Sequence, residues 1–401
     1  MSLFIEEARK ILKQRMAFIG VALLLALNIY NILSNETDAI DQADIGYWEI
    51  YGIIEGKMTE ESIGFVMESL ERLSTALAAE GVEPEEASDA FYTGYAFGDY
   101  VVFDKHRQEM ERIFLYNDRI QKLKISAKEN ADFYESLGNN YESKKSELIA
   151  MVYGNRTLDH YYETAGMQKY FSYDFSSLLI MLSLMLIASS VFAKEHELKT
   201  HQLTFVAIKG HHRTVLAKSI AAASVAVVLC FTFYVSDLIC FLCSNHLFGW
   251  MTPIYQIRGF APTPLTISVW QFALISFFLK CFGCILISQI IVFFSALLKS
   301  TIATVVLSAA LLFLCVGLYG LSTFDPINPI SFLYNRDFLS APSFVNVCGV
   351  PVKSFQLVIL AGFVEVTGVH IATHLAHKKI ALKSVIAKWA QKKRTTNEPV
   401  F

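Results

Sequence analysis

The sequence predicts an all-α polytopic membrane protein, with six transmembrane helices plus a mainly helical extracellular domain between the first two. Three observations carry this expectation. Of 401 residues, 54% are hydrophobic and 18% charged, and the mean hydropathy is +0.40, too apolar for a soluble globular chain of this size. Six apolar runs, at about 16–33, 175–193, 219–243, 267–298, 301–321 and 355–375, approach or exceed the roughly 20 residues that cross a bilayer core of about 30 Å. The formal net charge of −3 also hides a separation. Residues 35–171 hold 27 Asp+Glu against 13 Lys+Arg, and the remaining chain holds 10 acids and 21 bases. A soluble enzyme is excluded.

The elements follow in order. The first run is preceded by Arg9, Lys10, Lys13 and Arg15, is long for a signal-peptide core and ends without a small-x-small cleavage site, so residues 1–34 are expected to be a cytoplasmic N-terminus and a retained first span. In the acidic segment 35–171, Val66, Met67, Leu70, Leu73 and Leu77 recur at helical spacing from Ile63. A second helix is expected to open at Asp104 and run to about Lys124, and a third at the capping-box pair Ser126 and Glu129. No alternation of period two is long enough to argue a strand.

Orientation follows from the bases. Short loops and termini on one side carry 17 Lys+Arg, whereas loops 243–266 and 322–354 carry only Arg258, Arg336 and Lys353. By the positive-inside rule both termini are expected in the cytoplasm and segment 35–171 outside, with Trp250 and Trp270 near the outer boundary. Residues 172–377 then hold spans two to six. The tail 378–401 spaces seven bases among Ile380, Leu382, Val385, Ile386 and Trp389, as a basic amphipathic helix on the inner leaflet would.

Between spans two and three, the run 193–218 is expected to carry Lys194, Glu195 and Glu197 into the cytoplasm on a helical extension. Gly210 allows a break before a second basic start that ends at Lys218. Leu198, Leu203, Val206 and Ile208 give the segment apolar surface that suits docking to a soluble partner, or burial against lipid headgroups.

These residues resemble those of the ABC-2 type permeases. The resemblance rests on the Glu195 region, the Lys209-Gly210 step, the Ala217-Lys218 start of span three, the Tyr173-Asp174-Phe175-Ser176-Ser177 start of span two, and six spans with both termini inside. Glu197-Leu198-Lys199-Thr200 stands where the family usually has a glycine after the acidic residue. The resemblance implies the transmembrane half of an exporter in a Gram-positive cell membrane. Its energy would come from a separate ATPase subunit that holds ATP and Mg, and it would pair with a second permease, identical or related. Lys194, Glu195, Glu197, Lys209, Gly210 and Lys218 would form the ATPase-coupling contact. The cargo would be a peptide or hydrophobic compound, or alternatively a drug or cation. No phosphate-binding G-x-x-x-x-G-K-[ST] loop occurs in the chain, so ATP hydrolysis is expected in trans, and the chain itself is expected to bind no cofactor and no nucleic acid. A receptor or scaffold with a sensing outer domain is the alternative class.

Two further features invite function. The loop 324–333 is apolar but broken by prolines, and Asn328 and Pro329 stand where the family's re-entrant outer gate would be. Asp237, Lys280 and Glu365 lie inside apolar runs. Lys280 and Glu365 fall at similar depth, about 15 Å from their outer boundaries, and are expected to pair or to line one water-filled cavity; Asp237 is near enough to its span's end to reach the interface. His370 and His374, and the histidines around 196–212, have no third ligand at recognisable spacing, so no metal site is expected. The seven cysteines all follow residue 229, mostly within apolar runs, and indicate no disulfide framework.

Overall fold

The computed structural model describes residues 2–34, 42–78, 92–200, 210–244, 247–321 and 327–395. An amphipathic helix α1 (Ser2–Leu12) buries Glu7 and Ile11 and leads through Lys13-Gln14 into α2 (Arg15–Ser34). The acidic domain follows with α3 (Gln42–Ile54), α4 (Glu60–Ala78), α5 (Ala96–Ser136) and α6 (Asn140–Tyr153). Two-residue strands β1 (Gly56–Lys57) and β2 (His160–Tyr161) pair antiparallel. Three consecutive helices, α7 (Ala165–Ser172), α8 (Phe175–Ala188) and α9 (Ser190–Glu197), form the second crossing, and α10 (Gly210–Ser244), α11 (Val269–Leu297) and α12 (Thr301–Leu318) the next three. A short α13 (Arg336–Ser340), a hairpin of β3 (Phe344–Val347) and β4 (Val350–Lys353), and α14 (Ser354–Thr395) close the chain.

Among the described residues, six helical stretches are long and apolar enough to cross a membrane: Arg15–Ser34, Ala165–Glu197, Arg213–Ser244, Val269–Leu297, Thr301–Leu318 and Ser354–Lys378. The α8 crossing is the central one, with most of its residues buried, because α2, α10, α11 and α12 all pack against it. Exposed Leu23, Val228, Phe278, Val306 and Leu360 give the bundle an apolar exterior, as a lipid solvent requires.

The domain differs from the sequence expectation in its helix boundaries. Asp104 and the Ser126/Glu129 pair start no helices, because α5 runs unbroken for 41 residues from Ala96. Asp104 instead accepts from Arg107 and Gln108 one turn on, at 2.8 and 2.7 Å, and the real start signal downstream is Asn139, whose side chain accepts from the Glu142 N–H. A polar residue three before a glutamate is a cap only where the helix is free to begin. The β3–β4 hairpin was not foreseen. It turns at Cys348-Gly349, both with positive φ, 51° and 83°, the geometry of a two-residue hairpin turn.

The domain core is aromatic. His106, fully buried, stacks on Tyr47 with ring centroids 4.3 Å apart, and its Nδ1 is 2.7 Å from the Tyr161 hydroxyl. Tyr47 in turn donates to the Glu163 carboxylate. Burial pushes the His106 imidazole down to about 4, so the folded domain holds it neutral. An unfolded histidine, near 6.5, takes up a proton that the folded one refuses, so the stabilisation is complete above pH 6.5 and lost as pH falls toward 4. Domain stability is expected to drop by about 3 kcal/mol across that interval. Thermal unfolding between pH 7.5 and 4 would check this, and His106→Phe should flatten that part of the profile.

The domain also rests on the loop after α10. Tyr153 donates to the Pro262 carbonyl at 2.8 Å, Arg156 to the Leu265 carbonyl at 3.2 Å, and Gln256 to the His160 carbonyl at 2.9 Å. The Arg156 guanidinium lies 4.4 and 4.7 Å from the Tyr153 and Tyr255 rings. Trp250 and Trp270, expected at one boundary, are joined by a 3.1 Å backbone hydrogen bond. At the other extreme, α14 continues past Lys378 to Thr395 as one helix, so the tail is a prolongation of the last crossing and not a separate surface helix.

Candidate functional site

At the end of the bundle where α2 begins, the second crossing is interrupted between α8 and α9. Ser189 lies at the junction, and Ser295 of α11 inserts there: its hydroxyl donates to the Ser189 carbonyl at 2.7 Å and accepts from the Phe192 and Ala193 N–H groups at 2.9 and 3.0 Å. One side chain thus satisfies the first free donors of α9, the work an N-cap normally does.

The short α9 is held by charge as well. Lys218 of α10 is 1% exposed. Its Nζ lies 2.8 Å from Glu195 Oε1, 2.8 Å from the Val191 carbonyl, 3.8 Å from Glu7 Oε2 and 4.6 Å from the Phe192 ring centre. Lys10 completes the group at 2.5 Å from Glu7 and 3.5 Å from Glu195. Two carboxylates and two ammoniums from α1, α9 and α10 balance within one cluster. Partial burial works against the Lys10 charge, but Glu7 and Glu195 outweigh it and raise its pKa. Glu197 reaches across to accept from the Thr301 N–H at 2.7 Å, capping α12. α9 is therefore tied to α1, α10, α11 and α12 at once.

Of the residues expected in the coupling contact, Glu195 and Lys218 meet directly, Glu197 ties to α12, and Lys194 is exposed on α9 beside them. Gly210 opens α10, and Lys209 lies outside the described residues, as do Leu203, Val206 and Ile208. Glu7, Lys10 and Ser295 were missed. Glu7 and Lys10 had a signal, a one-turn spacing on an amphipathic N-terminal segment; Ser295 had none, being one polar residue in an apolar run.

Toward the domain-bearing end lies a second polar group. A cavity of about 20 Å³, room for one water, is lined by Asp174, Asp237, Lys280, Arg336 and tyrosines including Tyr170 and Tyr234. Asn28 donates to Asp237 at 2.5 Å and accepts from Tyr173 at 2.9 Å. Asp237, 6% exposed, thus faces the bundle interior and not the interface. Lys280 lines this cavity together with Asp237 and Asp174.

Lys280 does not pair with Glu365. Where α11 and α14 touch, the Phe282 and Phe363 rings pack at a tilt with centroids 4.9 Å apart. Lys280 is two residues from Phe282, about 200° around the helix, and so turns away from α14 toward α8 and α10. Glu365 lies half-buried on α14. Lys280→Ala and Glu365→Ala should therefore have additive effects on thermal stability, within about 0.5 kcal/mol, and a double charge swap should rescue neither. A double-mutant cycle checks this.

Asn328 and Pro329 are buried in a re-entrant turn. Asn328 donates to the Cys315 carbonyl at 2.8 Å and caps the 3₁₀ turn Pro329–Phe332 through the Ile330 N–H. Phe332 lies against Gly283, about 20 Å along α11 from its start, and against Gly362 of α14. Asn335 then bonds Ser276 of α11 at 2.9 and 3.0 Å. Non-helical backbone at this depth is wrapped in protein, the condition under which it can exist.

Comparison with family models, curated proteins and solved structures finds no match to this chain.

Proposed function

We propose that this chain is the permease subunit of an ABC exporter of the ABC-2 type. It would move a peptide or hydrophobic compound out of the cell with ATP hydrolysed by a separate subunit, and two permeases would work with two ATPases. The observation that carries the reading is the way α9 is tied into the bundle. A short helix that projects from the most buried crossing and is tied by Ser295, Lys218, Glu7, Lys10 and Glu197 to four other helices is built to transmit force. A receptor would need one such connection to its sensing domain, whereas this one faces away from the domain. The re-entrant turn at Asn328-Pro329 serves as the exit gate, and the acidic domain lies outside the cell.

The test is co-purification with an ATPase encoded beside this chain, followed by ATPase assays with peptides, drugs and ions. Stimulation by one cargo class is the expected result; a chain that binds no ATPase ends the proposal. Topology has its own check. Cys348 is exposed at the hairpin turn, so with Cys243, the other exposed cysteine, replaced by serine, a membrane-impermeant maleimide should label it on intact cells, and Cys348→Ser should remove that label. Labelling only after lysis would reverse the orientation.

A further inference from the structure

Beside the charge cluster, α1 and α9 enclose a groove of about 520 Å³. Its apolar wall is Ile11, Val191 and Leu198. Glu7 and Glu195 are already balanced by Lys10 and Lys218. Lys13 and Lys194 also line it, both exposed, and among the described residues no carboxylate lies within ion-pair distance of either. The groove therefore offers two uncommitted positive charges over an apolar wall, complementary to an anion that carries hydrocarbon.

The surroundings decide which anion. The groove opens where Gln14 leads into α2, a crossing whose apolar window is only 17% buried. Met16, Ile19 and Leu23 are 82%, 54% and 67% exposed, and their spacing places them on one face running away from the groove. A soluble acidic peptide could use the lysines but not that flank. We propose that this groove binds an anionic glycerophospholipid, with its phosphate between Lys13 and Lys194 and its acyl chains along α2. The lipid then fixes α1 against α9 from the membrane side, independently of any ATPase, and the inference does not rest on the transport reading.

Native mass spectrometry of the full chain in detergent, with equimolar phosphatidylglycerol and phosphatidylcholine, tests it. One phosphatidylglycerol per chain should be retained with a preference of about tenfold or more. K13Q/K194Q should abolish the preference, K13R/K194R should keep it, and K122Q/K128Q on the domain should leave it unchanged. Both groove lysines are exposed, so unfolding temperatures should match across the set. Equal retention of the two lipids, or an unaltered preference in K13Q/K194Q, overturns the proposal. Displacement by excess inorganic phosphate also overturns it, by showing a site for free phosphate.

Discussion

Replacing Lys218 by methionine is expected to cost about 3 kcal/mol, because it removes the buried partner of Glu195 and Glu7 and leaves both carboxylates to the exposed Lys10. The lysine is 1% exposed and makes its two shortest polar contacts, to Glu195 and the Val191 carbonyl, at 2.8 Å. The unfolding temperature of the purified chain should fall sharply in Lys218→Met and less in Lys218→Arg, which keeps the charge but not the fit. The double variant Lys218→Met with Glu195→Gln should recover much of the loss, since removing both partners leaves no unpaired buried charge. On the proposed function, it should not recover coupling between ATPase and export, because the bond between α9 and α10 stays broken. Single and double losses that add without recovery would show that the cluster is not a unit.

Gly283→Val is expected to be comparably damaging for a steric reason. A Cβ at Gly283 would lie 2.8 Å from the Cβ of Phe332 and 3.4 Å from the Leu333 nitrogen, atoms fixed to the backbone of the re-entrant turn. The turn must move, at a cost of about 3 kcal/mol, and the contacts of Asn328 and Asn335 move with it. Gly362→Ala should act in the same direction more weakly, since it meets the ring edges of Phe332 and Phe282. Gly317 and Gly368 are helical glycines with nothing within 4 Å, so alanine there should be neutral or stabilise by up to about 1 kcal/mol. Thermal unfolding of the four variants separates a packed turn from a general intolerance of these glycines.

The crossings were legible in the sequence because length and hydropathy are local properties, and the first, fourth and fifth apolar runs end within three residues of their helices. The third and sixth helices overrun theirs, from Gly210 and to Thr395, and the second crossing extends both ways as three helices, from Ala165 to Glu197, since flanks buried against protein need not be apolar throughout. Depth along a helix was legible too, but direction around it was not. Lys280 and Glu365 sit at similar depths, yet the Phe282–Phe363 contact fixes the azimuth and points Lys280 elsewhere. The same limit hid the partner of Lys218. Glu195 and Lys218 were both singled out, but nothing local says that α1 would fold back to bring Glu7 and Lys10 to them. In the domain, the intended caps at Asp104 and Ser126 failed because the apolar periodicity of α5 continues through both.

The central claim is that energy reaches this chain through α9. It is tested most directly by site-specific cross-linking to the co-purified ATPase, with Cys243 and Cys348, the exposed cysteines, first replaced by serine. Lys199→Cys, just beyond α9, and Glu129→Cys, on α5 of the domain, are each labelled with a benzophenone maleimide, whose excited ketone inserts into a neighbouring C–H bond, and photolysed under the same conditions. The account expects a permease–ATPase adduct from Lys199→Cys and none from Glu129→Cys; an adduct from Glu129→Cys, or a stable complex that Lys199→Cys never captures, would contradict it.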